Sequence, residues 1–446
     1  MSAKPPGPRR WLFRVTAAVL VPIFFLLLLE AGLRLAHFGY PTGFLLKRTI
    51  EGREVYVENE EFGFLFFPPG IARSPTPIVM PAKKEPGTYR IFLFGESAAL
   101  GDPKPAFGFG RYLEVLLRNK FPHVRFEVIC AAMTAINSHA LLPVARECAR
   151  HEGDLWLIYM GNNELIGPFG ASGVLGERTP STRFVKCVLW IKGTRIGQLI
   201  SAAQSAWLRR KAGAEWSGLK MFVGHQVPPT DPARKKVDEN YSSNLREMIQ
   251  LGQSSGAKVI VNSVASNLRD CAPHASMHGK SLDDAQSRKY TEAIQLARTS
   301  FGTNSTAASS SLESALQIDP YFAEAQFLKG RNLELSGKTN EAWSAYQKAR
   351  DYDALPFRTT SSLNAIARET ASQHPGVIFL DAEQQIENGP AVPGNDLFFD
   401  HVHFDFEGNY RLAILNAETI ARQLPKELAK DVKEGWISRE QCELEL

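Results

Sequence analysis

The sequence predicts an α/β protein built on a parallel sheet with helices on both faces. From residue 89 onward, five short apolar segments of strand length alternate with segments of helical periodicity. The first of these strands, residues 91–94, runs directly into Gly95 and Ser97. Ligands of open parallel sheets bind beyond the carboxyl ends of the strands. We therefore expect Ser97 at the mouth of a site.

The remaining elements follow from the same alternation. The other predicted strands are residues 126–130, 155–160, 259–264 and 377–380. The predicted helices are residues 112–120, 141–150, 237–251 and 410–422. Residues 40–88 are predicted to be irregular, with one short strand at 55–57. The phenylalanine-rich stretch at 62–67 is expected to pack under the main domain, with an exposed interaction patch as the alternative.

Length and composition indicate an ordinary globular protein with more than one structural unit. The chain has 446 residues, 44% of them apolar and 22% charged. A formal net charge of +4, without basic runs interleaved with aromatic residues, gives no reason to expect a nucleic-acid partner. The five cysteines show neither CxxC spacing nor pairing, so the sequence predicts neither a metal site nor a disulfide framework.

The N-terminal residues predict a membrane anchor. Residues 1–14 form a basic segment. Residues 15–36 are apolar apart from Glu30 and Arg34, which are one helical turn apart, and are about long enough to cross a bilayer as a helix. Because basic residues flank the run on its N-terminal side, we expect a cytoplasmic N-terminus and a periplasmic main domain on a single-pass inner-membrane protein. A cleaved signal peptide is the alternative, although no small-x-small cleavage site is present.

Residues 285–370 interrupt the alternation of strands and helices. They contain no strand pattern, and counting from Ala323 places Gly330, Ala342 and Tyr346 where the tetratricopeptide repeat has its packing residues. The preceding unit matches more weakly. Free-standing arrays usually need about three repeats, so this all-α insertion is expected to lean on the main domain and to offer a surface for a protein partner. An ordinary helical insertion is the alternative.

Other segments supply what a serine nucleophile needs. Asp400 and His403 are spaced to share one face of a turn, so that the carboxylate can orient a histidine base. After the third strand, Gly161 lets the backbone turn closely and Asn163 offers an amide donor for an oxyanion. The residues around Ala132, after the second strand, can offer a backbone N–H. The convergence of these strand ends predicts serine-based ester chemistry.

These segments make the chain resemble the SGNH (GDSL-type) hydrolases over residues 50–425. The matching blocks are Gly95-Glu96-Ser97, the Ala132 region, Gly161-Asn162-Asn163-Glu164 and Asp400-His401-Val402-His403. The resemblance is narrower to a membrane-anchored bacterial group with a repeat insertion. It implies a flavodoxin-like, three-layer parallel sheet. The chain departs from the family at Glu96, where an aspartate is usual, and at Ala132, where a glycine is usual.

The resemblance also implies roles for single residues. Ser97 would be the nucleophile, His403 the general base and Asp400 its orienting acid. The N–H of Ser97, a backbone donor at Ala132 and the amide of Asn163 would form the oxyanion hole. No cofactor or metal is implied.

The sequence patterns and the resemblance together divide the chain into six segments. We expect a basic tail, an anchor, an N-terminal extension, a first core part, a repeat insertion and a final core part at 1–14, 15–36, 37–88, 89–284, 285–370 and 371–446.

The expected activity is that of a serine esterase with an acyl-serine intermediate. The expected substrate is an ester, chiefly O-acetyl groups of an envelope or exported polysaccharide. An O-acetyltransferase with the same triad and a lipid esterase are alternatives. A catalytically silent scaffold that presents the repeats to a partner is the non-enzymatic alternative.

Further polar residues have weaker patterns. Asn267 and Arg269, beyond the fourth strand, are candidates for binding an anionic or sugar substrate, although Arg269 could equally form a surface salt bridge. His274 and His278 have helical spacing but no third ligand nearby, so no metal is expected. His401 is expected to face solvent or to support the triad.

Overall fold

The computed structural model describes residues 8–174, 178–211, 221–222, 224–387 and 391–446. It begins with α1 (Pro8–Leu35), whose side chains from Trp11 to Leu29 are almost all exposed. Residues 11–35 are long and apolar enough to cross a bilayer, and no other helix among the described residues meets that criterion. Residues 1–7 of the predicted basic tail lie outside the described residues.

Residues 37–88 contain a small antiparallel sheet, so the prediction of irregular structure is wrong there, although the short strand predicted at 55–57 is confirmed as part of the second strand. Its strands are β1 (Leu45–Ile50), β2 (Arg53–Glu58) and β3 (Val79–Pro81), in that order. The β1–β2 hairpin turns through Glu51 and Gly52, both with positive φ. Glutamate is unusual at such a turn position, which explains why the sequence pattern did not reveal the hairpin.

The phenylalanine-rich stretch packs as predicted. A short 3₁₀ helix spans Phe62–Leu65, and the side chains of Phe62, Phe66 and Phe67 are buried in the main hydrophobic core.

The centre of the molecule is a five-stranded parallel sheet, as predicted. All five predicted strands are present, with ends within about three residues of those expected. They are β4 (Thr88–Gly95), β5 (Arg125–Ala132), β6 (Leu155–Tyr159), β7 (Lys258–Asn262) and β8 (Ile378–Leu380). Their spatial order is β5-β4-β6-β7-β8, and every pairing is parallel. Because β4 lies inside the sheet, its carboxyl end is flanked by those of β5 and β6.

Helices cover both faces of this sheet. The helices of the first part of the chain are α2 (Ser97–Leu100), α3 (Phe109–Lys120), α4 (Ser138–Cys148), α5 (Thr182–Lys192), α6 (Arg195–Lys211) and α7 (Pro232–Ser254), of which α5 and α6 pack on other helices rather than on the sheet. Buried residues of α4 and α7 share one core cluster with the N-terminal phenylalanines, whereas those of α3 belong to the cluster on the opposite face.

Four further helices follow β7 as two packed pairs. They are α8 (Asp284–Ser300), α9 (Ser305–Ile318), α10 (Ala323–Leu335) and α11 (Thr339–Asp351). Gly330 of α10 lies against the Tyr346 ring of α11, where an added Cβ would be 2.7 Å from a ring carbon. Close approach of α10 and α11 thus depends on this glycine. Whether the pairs are tetratricopeptide repeats stays a prediction.

The last part of the chain returns to the core. It contains α12 (Ser361–Ser372), α13 (Ala382–Glu387), α14 (Phe406–Gln423) and α15 (Arg439–Glu443). Buried residues of α12 belong to the core cluster that also holds α4 and α7. The helical pairs therefore end at Asp351, before the predicted boundary at residue 370. α14 packs on α3, on the face of the sheet opposite to α12.

Candidate active site

Ser97 stands where the central strand turns into a helix. β4 ends at Gly95, Glu96 is extended (φ −108°, ψ −160°), and Ser97 is the first residue of α2. A Cβ on Gly95 would lie 2.3 Å from the carbonyl oxygen of Tyr159 in the neighbouring strand. Glycine is thus required for the close approach of the two strand ends. The Ser97 residue is 6% exposed, at the floor of a cavity.

Asp400 and His403 lie on the loop before α14. The backbone of Phe398 bridges that of Phe404, and their rings stack at 4.6 Å, which fixes both ends of the loop. Oδ1 of Asp400 accepts the backbone N–H of His403 at 3.0 Å and that of Val402 at the same distance. The carboxylate therefore organises its own turn.

The structure brings Ser97, His403 and Asp400 together in one line. Nε2 of His403 lies 2.8 Å from Oγ of Ser97, and Nδ1 lies 2.6 Å from Oδ2 of Asp400. Burial alone would raise the pKa of the Asp400 carboxyl. The hydrogen bond from His403, the positive charge that His403 can carry and the backbone N–H of Val402 outweigh burial and hold this pKa well below its ordinary value. Asp400 is thus suited to remain an anion beside the imidazole.

Asn163 and Gly161 form the turn after β6. Gly161 has φ 147°, and an added Cβ would lie 2.9 Å from Oγ1 of Thr359, so this position also requires glycine. The side-chain amide of Asn163 donates to the carbonyl oxygen of Ile136 at 3.0 Å. This bond fixes the side chain, which lines the same cavity as Ser97.

Glu96 holds that turn in place, a role that sequence reasoning missed. Its buried carboxylate lies 2.8 Å from the backbone N of Asn162, and 3.3 Å from those of Gly161 and Asn163. Burial, and then the charge of Glu164, raise the pKa of Glu96 well above its ordinary value, while the three N–H donors act against this. In the sequence, Glu96 is visible only as an acidic residue next to the serine. The backbone N–H of Gly161, which donates to it, is 65 residues away, so no local pattern indicates this contact.

The predicted place of Ala132 in the oxyanion hole needs correction. Ala132 is the last residue of β5, pairs with Gly95 and is fully buried, and it is not among the residues around the cavity. Ala135, three residues later, lines the cavity beside Thr134 and has φ 64°. β5 runs farther than predicted, so the turn comes later. An alanine in this left-handed conformation has no sequence signature.

The cavity over Ser97 has a volume of about 250 Å³ and is mostly apolar. Its apolar wall comes from five separate parts of the chain: Phe67, Ile71, Ile166, Pro168, Val174, Phe222, Phe357 and Val402. The rings of Phe222 and Phe357 pack edge to face at 5.0 Å. A pocket with this lining suits an apolar group next to a few convergent polar ones. The sequence pattern between residues 165 and 236 did not reveal this wall.

His401 lies in the cavity wall, next to the Asp400 carboxylate. Its Nδ1 is 3.4 Å from Oδ1 of Asp400, and its ring is 5.3 Å from that of His274. Burial lowers the pKa of His401 to about 3, and the charge of Asp400 only partly offsets this. The imidazole is therefore neutral at ordinary pH. His401 was expected either to face solvent or to support the acid and the histidine base. Its position beside Asp400 fits the second expectation.

Asn267 and Arg269 do not line the cavity. Nδ2 of Asn267 donates to the carbonyl oxygen of Asp400 at 3.0 Å, and its backbone N–H donates to that of His401. Arg269 pairs with Asp270 and Asp396. Arg269 thus forms salt bridges, which was the alternative to substrate binding. Asn267 supports the loop that carries Asp400.

His274 and His278 bind separate carboxylates. Nδ1 of His274 is 3.4 Å from Asp353, and Nδ1 of His278 is 2.8 Å from Asp319. Over the described ranges, no group of three or more His, Cys, Asp or Glu side chains is arranged to hold a metal ion.

Comparison with known proteins gives only distant structural similarity. No family model and no curated protein matches the sequence. A lipase/acylhydrolase from Enterococcus faecalis is 13% identical, with 76% of this chain and 97% of that chain covered and a TM-score of 0.35. A GDSL-like lipase from Bacteroides thetaiotaomicron is 13% identical, covering 75% and 89%, with a TM-score of 0.31. A putative acylhydrolase from Bacteroides fragilis is 12% identical, covering 77% and 91%, with a TM-score of 0.34. At these values the similarity establishes no family, and function has to follow from the site.

Proposed function

We propose that this protein is an SGNH-type serine ester hydrolase, or an acyltransferase with the same triad of Ser97, His403 and Asp400. The observation that carries the proposal is the unbroken hydrogen-bonded line from the Ser97 hydroxyl through both nitrogens of His403 to the Asp400 carboxylate. In such a line the base is oriented by the acid and lies within reach of the nucleophile's proton.

The proposed reaction proceeds through an acyl-serine. Oγ of Ser97 attacks the ester carbonyl carbon while His403 Nε2 takes the hydroxyl proton. The tetrahedral intermediate collapses, the bond from carbon to the leaving oxygen breaks, and His403 returns the proton to the departing alcohol. Water, or an acceptor alcohol in the transferase, then attacks the acyl carbon while His403 Nε2 takes its proton. The bond from the acyl carbon to Oγ of Ser97 breaks, and His403 returns the proton to Oγ. Asp400 stays ionised and stabilises the imidazolium.

The oxyanion would be held by donors at three chain segments. These are the backbone N–H of Ser97, the backbone around Ala135 and the side-chain amide of Asn163. Asn163 and Ala135 line the cavity beside Ser97. The carboxylate of Glu96, through the backbone of the 161–163 turn, would act as a positioning group for this donor set.

The cavity wall favours a substrate with an apolar chain. Aromatic and aliphatic side chains surround the space above Ser97, and the polar groups that line it are mainly those of the site itself. An apolar acyl or alcohol chain gains free energy from leaving water there, whereas a lone acetyl group leaves most of the wall unused. We therefore favour esters with an apolar chain over O-acetyl groups of a polysaccharide.

A chain-length series tests this choice of substrate. With 4-nitrophenyl acetate, butyrate, hexanoate and octanoate, kcat/KM should rise from acetate until the cavity is filled, because each buried methylene contributes about 0.8 kcal/mol. Acetate as the best substrate would instead support O-acetyl groups as the natural target.

Substitution of the triad tests the reaction itself. Ser97→Ala and His403→Ala should each lower ester turnover by about 10⁴-fold or more, because the members of a triad act as a unit. Ser310→Ala, in the exposed part of α9, serves as the matched control and should keep wild-type turnover. Wild-type turnover in either triad variant would remove the assignment. A wild-type protein that is folded but inactive would support the alternative of a catalytically silent scaffold.

We also propose that α1 anchors the protein, with the N-terminus in the cytoplasm and the sheet domain in the periplasm. The apolar span of α1 and the basic residues before it support this orientation. The α8–α11 pairs would then offer a surface for a periplasmic protein. Protease added to spheroplasts should degrade the sheet domain, and protection would contradict the orientation.

A further inference from the structure

Helices α5 and α6 expose large apolar side chains to solvent. On α5, Trp190 is 74% exposed, Phe184 47% and Ile191 44%, while on α6 Ile200 is 59% exposed and Leu199 38%. Phe184 and Ile191, seven residues apart, lie on the same side of α5, and Trp190 lies at the edge of that side. Single exposed apolar residues are common, but a run of them on two adjoining helices indicates an interaction surface.

The charge of the two helices is one-sided. Their sequences contain three Lys or Arg residues in α5 and four in α6, and no Asp or Glu in either. Lys186 pairs with Glu247, and Lys192 and Arg195 donate to backbone carbonyl groups, whereas Arg183 is exposed at the start of α5. Helices with Trp, Phe or Leu on one face and Lys or Arg elsewhere bind at the interface of anionic membranes. A basic and apolar surface is complementary to anionic lipid, which presents phosphate groups above acyl chains. A protein partner would usually present charges of both signs.

The start of α6, where it follows α5, contacts the end of the proposed anchor. Glu30, in the last part of α1, accepts the backbone N–H of Arg195 at 3.1 Å and that of Ile196 at 3.0 Å. A second contact joins α6 to the segment after α1. Oε1 of Gln198 accepts the backbone N–H of Tyr40, and Nε2 of Gln198 donates to the carbonyl oxygen of Tyr40. If α1 crosses a bilayer, the first turn of α6 therefore lies at the level of the headgroups.

The same helices contact the segment that forms the cavity. Nζ of Lys192, at the end of α5, donates to the carbonyl oxygen of Leu65 at 3.0 Å. Two residues later, Phe67 lines the cavity over Ser97. A short stretch of chain thus joins the exposed surface of α5 to the wall of the candidate site.

We propose that the exposed faces of α5 and α6 rest on an anionic lipid bilayer beside α1. Three observations support lipid as the occupant: the apolar side chains, the absence of acidic residues and the junction with the end of α1. The apolar residues would lie among the upper acyl chains, and the exposed Arg183 would lie among the phosphates. This contact would hold the cavity close to the bilayer, and it does not depend on the proposed ester chemistry.

The thiol of Cys187, which is exposed on α5 between Phe184 and Trp190, gives a direct test. A nitroxide is attached to Cys187 in the full chain carrying Cys130→Ser and Cys271→Ser, which remove the two other thiols that are not buried, and every labelled variant keeps these two substitutions. The protein is placed in vesicles of phosphatidylcholine with phosphatidylglycerol. The accessibility of the label to oxygen and to a water-soluble nickel complex should report a depth of about 5–10 Å below the phosphates.

Matched variants complete the experiment. A label at Leu335→Cys, in a Cys187→Ser background, starts from a comparably exposed position on α10 and should remain aqueous. In phosphatidylcholine alone, and in the Arg183→Glu variant, the label on Cys187 should move toward water. An aqueous label in anionic vesicles would overturn the proposal, and so would equal depth in both lipids. Spin–spin broadening that persists on dilution would assign the surface to a second copy instead.

Discussion

At the scale of single residues, the site depends on polar groups that hold other groups in place. Asp400 orients His403 and also fixes its own turn through two backbone N–H groups. Glu96 does the same for the turn that carries Asn163. Such supporting contacts keep a catalytic geometry within the narrow limits that chemistry requires.

Substitution of Glu96 should separate positioning from chemistry. Glu96→Ala removes the acceptor for three backbone N–H groups, so we expect kcat to fall by about 10²-fold, as for the loss of one oxyanion donor. Glu96→Gln keeps one side-chain oxygen in place and should retain most of kcat. Steady-state kinetics on a 4-nitrophenyl ester measures both. Wild-type kcat in Glu96→Ala would contradict the positioning role.

Glu164 should make stability depend on pH. Its carboxylate accepts the N–H and the hydroxyl of Ser138, and burial raises its pKa to about 7. Because the folded pKa exceeds the unfolded value of about 4.3, the folded state binds the proton more tightly. This contribution to stability is fully present below about pH 4.3 and is lost as pH rises through about 7.

The Glu164→Gln variant isolates that contribution. Between pH 5 and pH 8, the Tm of the wild type should fall relative to that of Glu164→Gln, in which the proton-linked term is absent. Thermal unfolding followed by circular dichroism measures the difference. Parallel Tm curves for the two proteins would contradict the raised pKa.

At the scale of elements, the strand ends were predictable and the walls of the cavity were not. Four apolar residues before Gly95 predicted a buried strand, and the spacing of Asp400 and His403 predicted a shared turn. Both are local patterns. Ala135 and Phe357 owe their places to chain segments that meet only in the folded protein. Periodicity carries no information about such contacts.

The aromatic wall should set chain-length preference. Phe357→Ala removes the ring that packs on Phe222, which lengthens the cavity. We expect the ratio of kcat/KM for octanoate to that for butyrate to rise by about tenfold, within the range for hydrophobic pockets. Phe301→Ala, at a partly exposed ring after α8, is the control and should leave the ratio unchanged. An unchanged ratio in Phe357→Ala would place the acyl chain elsewhere.

At the scale of the whole molecule, the helical pairs are joined to the site through the segment that follows α11. The backbone N–H and the hydroxyl of Thr359 both donate to Oδ1 of Asn162, at 3.1 and 3.0 Å. Asp353, near the start of the same segment, accepts the backbone N–H groups of His274 and Ala275. The 161–163 turn is therefore supported from both sides, by Glu96 and by residues beyond the insertion.

Loss of the Thr359 hydroxyl should weaken that support. Thr359→Val leaves Asn162 with one donor fewer in a buried place, so we expect a loss of about 1–3 kcal/mol in the free energy of unfolding and a lower kcat at unchanged KM. Thr359→Ser should restore kcat. A purely structural role would lower Tm in the valine variant without changing kcat.

The central claim is that Ser97, His403 and Asp400 act together on an ester, although Ser97 and His403 are 306 residues apart in the sequence. The most direct measurement is reaction with a fluorophosphonate, followed by mass spectrometry of the modified peptide. We predict one adduct, on Ser97, in the wild-type protein, and at least about a hundredfold slower reaction in His403→Ala. An adduct on another serine, or no adduct on a folded protein, would contradict the account.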